Sequence, residues 1–177
     1  MSNYGGSSYA QTAPPAHGGA PADSAVPKAF PILAIVGAAL ALGCTFINWI
    51  AGEANGETGG VKGIDGDGVI TLILSIVAAL AIVGAMVTKK APFYLGGAIL
   101  SLVTVVVGVI NFADPARLAA QKLEDEGLSS AQAEKYAEEF VKAADMSAAP
   151  GLYGLLIGAA LTAVFGVLGF MKSRNSR

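Results

Sequence analysis

Two carboxylates two positions apart in a glycine-rich turn, Gly63-Ile64-Asp65-Gly66-Asp67-Gly68, are the side chains whose type and spacing could do chemistry. Alternate carboxylates can converge on a hard cation such as calcium. A calcium loop of the EF-hand kind also needs a carboxylate at its twelfth position, and counted from Asp65 that place belongs to Ile76, inside an uncharged run. The turn therefore reads first as a helix start, with Asp67 as the N-cap whose carboxylate accepts backbone N–H groups at the positive end of the helix dipole. A weak divalent-cation site at Asp65 and Asp67, completed by Glu53 or Glu57, is the lesser alternative.

The remaining reactive side chains are few. His17 is the only histidine and Cys44 the only cysteine, so neither an intrachain disulfide nor a cysteine-held cluster can form. No Walker-type phosphate loop is present, and no Ser-His-Asp set has a histidine outside the N-terminal tail. Ala41-Leu42-Gly43-Cys44 faintly resembles a lipoprotein processing site, but its large and small residues are in reversed order and the apolar run continues past Cys44 through Phe46, Ile47 and Trp49. The reading is a non-enzyme with no cofactor and no resident metal.

The elements that hold these residues are apolar. With 54% hydrophobic and 14% charged residues and a mean hydropathy of +0.60, the chain falls in the membrane class. Four runs without a charge, about residues 30–50, 69–87, 93–112 and 152–171, are each long enough to cross about 30 Å of hydrocarbon as a helix. The third is rich in valine, yet backbone hydrogen bonding in lipid demands a helix. Trp49, near the end of the first run, is placed at the membrane interface. Residues 1–29 form a Gly/Pro/Ser/Tyr tail read as disordered, and residues 172–177 a short basic tail.

Between the third and fourth runs, residues 113–151 are patterned as an amphipathic helical hairpin. Asp114-Pro115 is an N-cap followed by proline in the first turn, Gly127 stops the first helix, and Ser129 with Gln132 has capping-box spacing. Ala133, Tyr136, Ala137, Phe140, Val141 and Ala144 then make one apolar face. Residues 51–68 are rich in glycine and read as turns. In the fourth run Gly154, Gly158, Thr162 and Gly166 recur every four residues, a small-residue seam, and Gly37 and Ala41 offer a matching face on the first. The seam serves internal packing, or a homodimer through the fourth span.

Bases at the ends of spans set orientation. Lys28, Lys89, Lys90, Lys172, Arg174 and Arg177 fall on one side, with Asp23 the only acid there; the other acids fall on the opposite side. Both termini are therefore expected to be cytoplasmic and the helical hairpin extracytoplasmic. The fold class is all-α, a four-transmembrane-helix bundle in a bacterial plasma membrane. No ionisable residue lies within the four runs, which argues against a pump or proton-coupled transporter.

The Tyr/Pro/Gly tail, Trp49 ahead of Gly52, the turn from Gly63 to Gly68, and Gly151-Leu152-Tyr153 at the start of the fourth run together resemble small four-span membrane proteins common in actinobacteria. The resemblance implies this architecture and an actinobacterial plasma membrane. The expected function is non-catalytic: an accessory subunit of an envelope or respiratory complex, with the lipid bilayer and other membrane proteins as partners and no nucleic acid. The alternative is a permeation or membrane-perturbing protein of the holin or phage-exclusion type.

Overall fold

The computed structural model describes residues 26–54 and 56–175; residues 1–25, and with them most of the expected tail, lie outside the described residues. The chain is mostly helical. Its elements are α1 (Ala29–Cys44), β1 (Asn48–Ala54), β2 (Glu57–Lys62), a 3-10 turn (Gly63–Asp65), α2 (Gly68–Thr88), α3 (Ala91–Ala113), α4 (Pro115–Asp125), α5 (Ser130–Ala143), β3 (Ser147–Ala148) and α6 (Pro150–Asn175). Helices α2, α3 and α6 have 21, 23 and 26 residues and are long and apolar enough to cross a membrane. Most of their surface faces outward, so the large apolar residues exposed on them, such as Ile73, Leu80, Leu102 and Ile157, form an apolar belt.

α1, α2, α3 and α6 pack as a ring in which α1 and α3 each touch both α2 and α6. α1 and α3 run toward one end, where the chain enters the strands and α4; α2 and α6 start at that end and run back. The strands, the 3-10 turn, α4 and α5 thus gather as a cap on one end of the bundle. The other end holds the start of α1, the Lys89-Lys90 turn and the end of α6.

The first apolar run is corrected by the structure. Its helix stops at Cys44 after 16 residues, about 24 Å of rise, and residues 48–54 are a strand. The apolar residues after Cys44 include Trp49 and Ile50, which fill the core of the cap. A continuous apolar stretch has the same composition whether it meets lipid or a protein core, which is why the boundary was not visible in hydropathy.

The glycine-rich stretch 51–68 is also more than turns. β1 pairs antiparallel with β2, from Asn48 opposite Lys62 to Ala54 opposite Glu57, and with β3 on its other side, giving the order β2-β1-β3. The all-α expectation is revised accordingly. Ala54 pairs with Glu57, and Gly56 before Glu57 has φ +80, a left-handed conformation that favours glycine. Asn-Gly is the dipeptide best suited to such a hairpin.

Candidate functional site

Asp67 sits where the cap meets the bundle, and its carboxylate does not cap α2. Asp67 Oδ1 accepts from Gln121 Nε2 at 2.7 Å, while the Asp67 backbone N–H donates to Gln121 Oε1 at 3.0 Å. Asp67 Oδ2 accepts from Asn111 Nδ2 at 3.2 Å and lies 3.3 Å from Arg117 Nε. One carboxylate therefore ties the start of α2 to the end of α3 and to α4. A helix start offers free N–H groups, yet three side-chain donors from elsewhere outcompete them for this anion. The Asp67 side chain is 11% exposed and that of Arg117 48%, so the hydrogen bonds to Gln121 and Asn111 are the sheltered part of the cluster.

Asn111 is fully buried and gives its second N–H to Val107 O at 3.0 Å; its Oδ1 has no partner among the described residues. Both contacts of Nδ2 are to oxygens, which fixes the orientation of the amide. Asp65 turns elsewhere: its Oδ2 accepts from the backbone N–H of Lys62 at 3.3 Å. The two aspartates thus face different partners, and no group of three His, Cys, Asp or Glu side chains gathers among the described residues. Asp114, in contrast, accepts from the backbone N–H of Arg117 at 3.3 Å and caps α4. Ser129 does not close a capping box; its hydroxyl donates to Gln132 Oε1 at 2.9 Å.

Trp49 does not present its ring to the surroundings: its side chain is completely buried. Its Nε1 donates to Cys44 O at 2.9 Å, satisfying one of the carbonyls that the end of α1 leaves free. The indole lies against Gly63, where any β-carbon would overlap the ring, and a β-carbon on Gly68 would overlap the Gly63 backbone. The glycines of the turn are there to let Trp49 and α2 close on one another. The aromatic residues half-exposed at the cap end of the bundle are Phe46, Phe112 and Tyr153, the last two in edge-to-face contact at 5.7 Å.

The small-residue seam joins helices of the same chain. Gly37 and Gly158 face each other so closely that a β-carbon on Gly37 would come 2.6 Å from Gly158 O, and one on Gly158 would come 2.6 Å from Ala41 N. The Thr162 hydroxyl lies 2.9 Å from Ala34 O and 3.0 Å from Gly158 O. Gly154 abuts the Cys44 thiol, whereas Gly166 turns to α3, beside Ala98 and Tyr94 O. Gly37, Ala41, Gly158 and Thr162 are thus brought together, and Gly166 belongs to a second contact.

One surface of the cap joins residues far apart in sequence. β2, α4 and α5 enclose a groove of about 550 Å³ lined by Val61, Ala119, Leu123, Tyr136 and Phe140, with Lys122, Glu126 and Glu139 on its rim. On α5 only Ala133, Ala137 and the following Ala144 are buried; Tyr136 and Phe140 remain 52% and 49% exposed. Helical spacing reveals the apolar face but not that its large residues line one groove with Val61 of β2. No protein-family model matches the chain, and no curated protein or solved structure matches it.

Proposed function

We propose that the chain is a four-span integral membrane protein of a bacterial plasma membrane that acts through protein contacts, as a non-catalytic accessory subunit of a larger envelope or respiratory assembly. In this reading α1 completes the bundle as a short fourth span, and both termini are cytoplasmic. The bases Lys28, Lys89, Lys90, Lys172 and Arg174 support that orientation because they cluster at the end away from the cap. The cap is then extracytoplasmic.

The groove beneath Tyr136 and Phe140 carries the functional part of the reading. Two large aromatic residues half-exposed outside the apolar belt, beside β2, which has no strand partner on its outer side in the order β2-β1-β3, suit a contact with another protein. The bundle interior is filled by Ala34, Ala78, Ile82, Ala98 and Thr162, which favours contact over permeation. The seam residues are occupied within the chain, so contact with a second copy would use other surfaces.

The test is recovery from native membranes in mild detergent. The wild-type chain is expected in a larger assembly, and Tyr136→Ser with Phe140→Ser is expected to release it while keeping its thermal transition. Recovery of the wild-type chain alone would count against the reading.

A further inference from the structure

We infer that the groove at the basic end of the bundle is a binding site for one anionic phospholipid, with the lipid phosphodiester held between Lys28 and Lys89. The inference rests on the membrane-spanning reading above. The groove, of about 450 Å³, is bounded by the start of α1, the end of α2 and Tyr94 of α3, with Ser173 of α6 at its side. Its charged groups are Lys28 and Lys89, both exposed; Pro31, Ile32, Ala85 and Met86 supply an apolar wall. Ile32 and Met86 also belong to the outward apolar surface, so acyl chains lying along them would continue the belt while the headgroup meets the lysines.

The electrostatics select the sign of the ligand. Residues 26–52, 68–113 and 146–177 contain no Asp or Glu, so every charged side chain that the described structure places at this end is a base. Among the described residues neither Lys28 nor Lys89 is in an ion pair; the two pairs present are Arg117–Asp67, at the cap, and Lys142–Glu138, on α5. Lys89 further adopts a left-handed backbone conformation, φ 55, as the C-cap of α2, which turns the chain back at the mouth of the groove. A basic pocket between spans on the cytoplasmic side is suited to an anionic headgroup. A zwitterionic headgroup would bring its ammonium against two lysines and bind less well.

The experiment uses the full chain in mild detergent, with palmitoyl-oleoyl phosphatidylglycerol and the matching phosphatidylcholine as probes and native mass spectrometry as readout. One phosphatidylglycerol adduct is expected to persist in preference to phosphatidylcholine. Lys28→Gln with Lys89→Gln should weaken it by about 30-fold, the equivalent of about 1 kcal/mol per lysine. Lys90→Gln with Lys172→Gln removes the same charge at the same end outside the groove and should leave the adduct in place. Equal retention of the two lipids, or equal loss in the two double variants, overturns the site. Displacement by millimolar inorganic phosphate overturns the lipid as ligand and assigns a free-phosphate site instead. If the Lys28/Lys89 double variant does not fold, each single variant should still weaken the adduct, and no weakening in either overturns the site. Chain that remains soluble without detergent would refute the spanning reading itself, whereas chain that integrates but shows no lipid preference refutes only the site.

Discussion

Gln121 and Asp67 hold each other at two points, side chain to carboxylate at 2.7 Å and side chain to backbone N–H at 3.0 Å, across 54 residues of sequence. The pair joins α4 of the cap to the start of α2, and Asn111 adds the end of α3 to the same carboxylate.

Removing the carboxylate should therefore be costly. Asp67→Ala takes one of two acceptors from the buried Asn111 amide and the acceptor of the Gln121 amide, and is expected to cost about 2–4 kcal/mol. Arg117→Ala, at a side chain 48% exposed, should cost about 0–1 kcal/mol. Thermal or denaturant unfolding in detergent measures both, and a double-mutant cycle of Asp67→Ala with Gln121→Ala should show coupling of about 1 kcal/mol. A cycle with no coupling would mean that the two groups stabilise the fold independently.

The same geometry bears on cation binding. Asp67 is engaged by three side chains and Asp65 by the Lys62 backbone, so calcium or a chelator is expected to leave the unfolding midpoint unchanged. A midpoint that rises with calcium concentration would restore the cation site.

Trp49 is the only tryptophan, so its fluorescence reports on the cap directly. Emission should be blue-shifted, and brominated lipid should quench it weakly, because the indole is enclosed by protein. Gly63→Ala, which puts a methyl group into the ring, should cost about 1–3 kcal/mol and shift the emission toward that of exposed indole. Strong quenching by brominated lipid in the wild-type chain would return Trp49 to the interface.

Along the seam, Thr162→Val removes a hydroxyl that reaches Ala34 O and is expected to cost about 0.6 kcal/mol, the usual scale for such bonds between apolar helices in lipid. Gly158→Leu should be far worse, because its side chain would have to occupy the space of the Gly37 and Ala41 backbone. Unfolding midpoints of the two variants order these effects, and equal midpoints would show that α1 and α6 are not in close backbone contact.

The parts of the fold visible in sequence are those fixed by local composition. α2, α3 and α6 follow from uncharged runs, Asp114-Pro115 marks the start of α4, and the four-residue spacing from Gly154 points to a close helix contact. What was not visible depends on distant partners. Asp67 looks like a cap from its neighbours alone, and its actual partners Asn111 and Gln121 lie 44 and 54 residues on. Trp49 looks interfacial at the end of an apolar run until the Cys44 carbonyl and Gly63 are brought around it. The hairpin did leave a local mark, Asn55-Gly56, but the glycine-rich strand after it has few of the β-branched residues that announce a strand.

The proposed function and the lipid site both require the cap and the basic end to lie on opposite sides of the membrane. Single cysteines introduced at Glu57, Lys89, Glu139 and Arg174 in a Cys44→Ala background, labelled in intact cells with a membrane-impermeant maleimide, test it directly. Labelling at positions 57 and 139 but at 89 and 174 only after permeabilisation is the expected result; the reverse pattern, or labelling of all four in intact cells, would contradict it.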